Sequence, residues 1–235
     1  VAAFNRAAGK SGRFKSARRL THNNLCNHAT QFLSFNMHFE PNEAYHVYNR
    51  GNEKQTIFFS ERHYLHFLKK VKYEWTTYAD VLVYSLMPNH FHFILVPNNE
   101  GCRNIILKEK ETHMQELSKI IGKTLSSYTQ AINNELNRSG NLFQKKTKAK
   151  CLIDKKMPQD YLATCIHYIH NNAYAAALVG SPFDWSFCSL KDYAGLRNGT
   201  LCNMELLYKL SGLTEYDFKN GTVPPLNDSI IKDIF

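Results

Sequence analysis

The chain has 235 residues, 43% of them apolar, which is material for one substantial core, and no apolar run approaches the roughly 20 residues that a bilayer-crossing helix needs. Six scattered cysteines (Cys26, Cys102, Cys151, Cys165, Cys188 and Cys202) form no CxxC pair, which argues against a disulfide framework or a zinc ribbon, and the N-terminus lacks the apolar block of a secretory signal. The net charge of +9 favours a polyanionic partner, but residues 1–39 contain six of the 29 basic residues and no acid, so the rest of the chain is only mildly basic.

In chain order, residues 1–36 are rich in Ala, Ser, Asn and basic residues and show no sustained period. They read as a basic arm, an extension upstream of Met37, or a solvated tail, and receive no catalytic role. From residue 43 the pattern becomes globular. NEAYHVYNRGN reads as a strand ending in a glycine turn, and SERHYLHFLKKVKYEW as an amphipathic helix capped by Ser60. DVLVYSLM and HFHFILVP are β-rich runs joined by Pro88-Asn89, the composition of a tight hairpin connection. A helix is expected from Thr112 to Arg138, where Met114, Leu117, Ile120, Ile121, Leu125 and Tyr128 recur every three or four residues. Ala149 to Ile153 reads as a short strand, QDYLATCIHYIHNN after Pro158 as another helix, and MELLYKLSGL in the tail as a further one.

The order strand, helix, strand, strand, helix, strand, helix predicts an α+β ferredoxin-like sandwich with a central antiparallel sheet, an added helix and a C-terminal extension. The expected division is a basic extension over 1–36, the main domain over 37–199 and an extension over 200–235. In such a sheet the first and third strands lie at the centre, and the third is the one with His90 and His92. A period of two puts both imidazoles on one face and Phe91 on the other. Two imidazoles on a rigid strand make half a metal site; the plain alternative is two polar residues on a solvated sheet face.

The string MPNHFHFILV resembles the signature of HUH nucleases, in which two histidines flank a bulky apolar residue on a central strand. YHVYNRGN before it, and GNLFQKK, DYLATCIHYIHNN and DWSFCSLKDY after it, resemble segments of the single-tyrosine transposases of insertion sequences and their REP-associated relatives, in the same order. The resemblance spans about residues 38–197. It implies a cytoplasmic bacterial enzyme that cleaves and rejoins single-stranded DNA and DNA hairpins through a 5′-phosphotyrosine. Also implied are Mg²⁺ or Mn²⁺ held by His90 and His92, no organic cofactor, and a monomer or homodimer. The tyrosine matched to the nucleophile is Tyr161, with Tyr128 and Tyr168 as fallbacks. In insertion-sequence relatives a glutamine one helical turn after the tyrosine can supply a third ligand. Here that position is Cys165, and His46 on the first strand is the candidate replacement, with His167 and His170 as further histidines nearby in sequence. The family's NPVRAGLV segment is represented by Asn172 to Val179, without its proline and glycine.

A phenol has an ordinary pKa near 10, so attack by tyrosine on a phosphate needs a nearby cation. For contact with DNA, Lys145, Lys146, Lys148, Lys150, Lys155 and Lys156 are expected to form a phosphate-binding rim, and Asn49, Arg50 and Gly51 a second contact. The plain alternative for the lysines is a solvated edge that deters strand pairing. Two other readings compete with the enzyme: a nonenzymatic nucleic-acid-binding module, and an inactive transposase remnant.

Overall fold

The computed structural model describes residues 37–107, 110–153 and 161–220; the basic extension, Lys155, Lys156 and the residues after 220 lie outside that range. Among the described residues no helix is long and apolar enough to cross a membrane. The elements are β1 (Tyr45–Arg50), α1 (Glu61–Glu74), β2 (Ala79–Met87), β3 (His90–Pro97), β4 (Asn104–Leu107), β5 (Lys110–Gln115) and α2 (Glu116–Glu135), then β6 (Lys148–Cys151), α3 (Tyr161–Ala175), α4 (Leu190–Tyr193), α5 (Met204–Ser211) and α6 (Glu215–Asn220). The main sheet runs β2-β3-β1-β6 with every neighbour antiparallel, the α+β arrangement expected, with β1 and β3 at its centre.

Alternation along the central strands sorts side chains onto two faces. Tyr45, Val47, Phe91, Phe93 and Leu95 join one buried cluster with Tyr64, Phe67 and Val71 of α1 and Leu117, Ile121 and Tyr128 of α2. Ile94 and Val96 point the other way, into a second cluster with Leu162, Cys165, Ile166 and Ile169 of α3 and with Leu207 and Phe218 of α5 and α6. The sheet is therefore covered on both faces, and the segment after residue 199 supplies part of the second core. Polar groups inside the first cluster are paired: Trp75 Nε1 donates to Thr124 Oγ1 at 2.9 Å, and the Tyr128 hydroxyl to the Ile57 carbonyl at 2.8 Å.

Local signals place the strand ends. Pro88 and Asn89 form the hairpin link, and their carbonyls accept from Ile57 N and Gly51 N, both at 2.7 Å. Gly51 closes β1 because a Cβ there would collide with the Gln55 carbonyl oxygen. Ser60 sits at the start of α1 in extended backbone, but its hydroxyl caps nothing.

The structure corrects two segments. The expected helix from Thr112 begins at Glu116, and Thr112 and Met114 belong to β5 of a separate β4–β5 hairpin. Met114 has the spacing of the helical stripe by coincidence and is 39% exposed, while the Thr112 hydroxyl donates to the Ile105 carbonyl across the hairpin at 2.9 Å. The short strand expected over 149–153 is displaced to 148–151.

Candidate active site

The antiparallel register sets Tyr48 opposite His92 and Arg50 opposite His90, so one face of the two central strands brings His46, Tyr48, His90 and His92 together. His90 is half-buried and His92 fully buried, with ring centroids 5.0 Å apart and planes perpendicular. His90 Nδ1 lies 2.6 Å from Asn89 Oδ1, which can only accept there; the His90 proton is therefore on Nδ1, and Nε2 keeps its lone pair. His92 Nδ1 lies 2.8 Å from His46 Nε2, and the two rings are nearly parallel. His46 thus engages His92 itself through its Nε2.

Both histidines of the pair are held neutral. Burial, then the Arg50 charge, lowers His90 to about 4. Burial drives His92 well below its ordinary value, with His46 and His90 adding to the effect. His46 falls to about 3 by burial and the Lys150 charge, and His170, on the far side of α3, to about 3 by burial and His167.

A cavity of about 280 Å³ opens over the pair, lined by Tyr48, Asn49, Arg50, His90, His92, Gln144, Lys146, Lys148 and Asn172, with no acidic side chain among them. Of the lysines expected at a rim, Lys146 and Lys148 border this cavity and Lys145 a neighbouring groove. Lys150 instead places its ammonium over the Tyr161 ring at 5.4 Å.

Helix α3 crosses this face, and one stripe along it contains Tyr161, Cys165, Tyr168 and Asn172. Tyr161 is 2% exposed within the second core, and neither it nor Tyr168 is among the cavity-lining residues. Cys165 is fully buried, its thiol pushed up to about 12, which makes it a neutral and poor metal donor. Tyr168 is the one residue between 161 and 170 that is partly exposed, and its ring meets His92 edge-on at 6.2 Å. Burial raises its phenol above the ordinary value, with Cys165 and Tyr48 adding to the shift. Asn172, one turn further, reaches the cavity, and its Nδ2 is buried without a hydrogen-bond partner among the described residues. Rotating that amide by 180° would put a neutral oxygen in the same place.

The site thus holds two imidazoles and an amide. Among the described residues no group of three His, Cys, Asp or Glu could hold a metal ion. Tyr48 and Asn172 were missed in the sequence. Tyr48 was open to discovery, because it lies two residues after His46 on an alternating strand.

The chain is similar to a REP-associated tyrosine transposase. That solved structure, the transposase bound to a REP hairpin, matches with a TM-score of 0.50 at 17% identity over 69% of this chain and 87% of its own. At this identity the likeness establishes a shared α+β fold. Two structures of a bacterial tRNA(His) guanylyltransferase-like protein, with GTP and with ATP, match at TM-scores of 0.33 and 0.37 and 8% and 9% identity. These cover 65% and 69% of this chain and 76% and 74% of theirs, and support no further argument. No protein-family model and no curated protein matches the chain.

The neutral histidines predict an acid-sensitive protein. An unfolded histidine takes up a proton below about pH 6.5, whereas His46, His90, His92 and His170 in the folded state resist protonation until well below that. Their contribution to stability is complete above pH 6.5 and is lost as pH falls, by up to about 1.4 kcal/mol per histidine per pH unit. Urea midpoints measured in EDTA should therefore drop steeply between pH 7 and pH 5, before most carboxylates titrate. A flat profile over that range would mean that the histidines are not held neutral.

Proposed function

We propose that this chain is a metal-assisted enzyme that cuts and rejoins single-stranded DNA, including hairpin DNA, with Tyr168 as the nucleophile. The observation that supports this most directly is the edge-on meeting of Tyr168 with His92, which itself lines a cavity bordered by three cationic side chains and no acid. The Tyr168 oxygen forms a bond to phosphorus as the bond from phosphorus to the 3′ oxygen breaks. The products are a 5′-phosphotyrosine and a 3′-hydroxyl, which takes up the proton that the phenol gives up. Reversal by the same or another 3′-hydroxyl rejoins the strand without an external energy source.

The donor set fits a hard dication when phosphate oxygens and water complete its shell. His90 would donate through Nε2 once Nδ1 is satisfied by Asn89, His92 would donate through Nε2 with its Nδ1 proton directed at His46 Nε2, and Asn172 would offer its amide oxygen after the rotation described above. Mg²⁺ or Mn²⁺ held there would neutralise charge on a non-bridging phosphate oxygen. In this reading His46 orients a ligand rather than acting as one. Arg50, Lys146 and Lys148 hold the strand by its phosphates.

This arrangement has a measurable consequence. With neutral donors and three cations around it, the site should bind Mn²⁺ weakly in the free protein and at least about tenfold more tightly with a bound oligonucleotide, whose phosphate supplies the missing negative charge. Calorimetric titration of Mn²⁺ with and without a strand whose scissile 3′ bridging oxygen is replaced by a methylene group, which cannot be cleaved, measures the difference. Equal affinities would argue against a phosphate-completed site.

The direct test is incubation of the full chain with labelled hairpin DNA and Mn²⁺ or Mg²⁺, followed by denaturing electrophoresis. A denaturation-resistant adduct that needs the metal supports the enzyme. Tight binding with no adduct across a range of hairpins favours a binding module instead.

A further inference from the structure

The link between α2 and β6 presents its charges to both sides. Gln144 borders both the histidine cavity and a second groove of about 620 Å³, after which the residues alternate. Lys145 and Thr147 line the groove, whereas Lys146 and Lys148 line the cavity. The link is pinned in place: Gln144 N donates to the Arg50 carbonyl at 2.9 Å, and Asn49 Nδ2 donates to the Gln144 carbonyl at 3.1 Å and to Thr147 Oγ1 at 2.9 Å. A narrow, fixed ridge therefore separates two spaces that meet at Gln144.

The groove contains a second cation of a different kind. Arg138, just beyond α2, is half-buried and has no carboxylate partner among the described residues. Neutral groups hold it: its guanidinium donates to Gln55 Oε1 at 2.6 Å and lies over the Phe59 ring at 5.6 Å. A guanidinium fixed by an amide and a ring keeps its charge and several N–H groups for a ligand. No acidic residue lines the groove; Leu142 and Phe143 give it an apolar floor, and side-chain amides, Gln130 and Asn134 among them, stand in its wall. Fixed positive charge, an apolar surface and mixed donors and acceptors suit a nucleic-acid strand whose bases are unpaired.

We propose that this groove is a second subsite for single-stranded DNA, which takes the nucleotides that flank the phosphate in the histidine cavity, with Arg138 and Lys145 on their phosphates. The strand crosses the ridge at Gln144. This rests on the reading of the cavity as a DNA-cleavage site, and it makes the groove a determinant of how much single-stranded flank a substrate needs.

Fluorescence anisotropy with the full chain tests it on three labelled DNAs: a hairpin without tails, and the same hairpin with a single-stranded tail of about ten nucleotides on its 5′ or its 3′ side. Wild type is expected to bind one tailed hairpin at least about tenfold more tightly than the tail-less one. Arg138→Gln and Lys145→Ala should each remove most of that preference and lower the salt dependence by about 0.7 per lost phosphate contact. Lys145 is exposed, so its variant is a check that does not depend on how well the Arg138 variant folds. A wild type indifferent to the tails, or variants that keep the full preference, would overturn the proposal. Running the same samples with Mn²⁺ on a denaturing gel separates the two readings. A tail preference without an adduct keeps the groove and sinks the nucleophile, and an adduct without a tail preference does the reverse.

Discussion

Tyr168→Phe should abolish the covalent protein–DNA adduct and reduce strand cleavage by a factor on the order of 10⁴ or more, while Tyr161→Phe leaves both within a few-fold. The expectation follows from where the two rings lie. Tyr168 is partly exposed and touches His92, whereas Tyr161 is packed within the second core beneath the Lys150 ammonium. Loss of the Tyr161 hydroxyl should appear, if anywhere, as about 1–2 kcal/mol in a urea titration. Loss of the Tyr168 hydroxyl should leave folding and hairpin binding close to wild type, since phosphate contacts do not depend on it. Should the adduct survive in the Tyr168 variant and vanish in the Tyr161 variant, α3 would have to shift along the sheet during the reaction. The half-buried Tyr168 phenol also predicts cleavage that rises with pH in the presence of metal, because its partial burial disfavours the phenolate.

The second large effect is expected at the histidines. His90→Ala should lower metal-supported cleavage by a factor on the order of 10²–10³ and weaken Mn²⁺ binding in parallel, with little change in stability. His90 suits this test because it is only half-buried and its one described hydrogen bond is to its neighbour Asn89. His92→Ala should lose as much activity but also destabilise the protein by several kcal/mol, since it empties a fully buried site and leaves His46 Nε2 without its partner. Cleavage by the His90 variant at the wild-type rate, with Mn²⁺ affinity unchanged, would show that the pair does not hold the ion.

The sheet and the histidine pair were legible in the sequence because a period of two is written directly into HFHFILVP, and the order of elements leaves few topologies open. The tyrosine was harder to read. Tyr161 and Tyr168 are seven residues apart, almost two helical turns, so they share a stripe and differ by about 10 Å along the helix axis. Which of them stands opposite His92 depends on how far α3 slides along the sheet, and no periodicity in the chain states that. Under the proposed reading the assignment moves by two turns, and its companion moves with it. The residue one turn after the tyrosine is then Asn172 in place of Cys165, and it is Asn172 that reaches the cavity. The β4–β5 hairpin was hidden for another reason: Met114 fits a helical stripe as well as a strand, and the strands are only four and six residues long.

The two edges of the main sheet are treated differently. The outer side of β2 is bonded by the chain itself: Leu86 N donates to the Phe187 carbonyl, Ser189 N to the Tyr84 carbonyl and Asn203 N to the Val81 carbonyl. Arg197 secures that covering segment by bonding both oxygens of Asp192, the Ser186 and Cys188 carbonyls and the Tyr84 hydroxyl. The opposite edge is β6, which is only four residues long and includes Lys148 and Lys150. One edge is therefore already paired, and the other is short and charged, so among the described residues the main sheet offers a second copy of this protein no inviting strand on which to extend it. Resistance to edge-to-edge aggregation is then a by-product of the covering segment and the lysine strand, and variants that loosen Arg197 would be the ones to form insoluble protein.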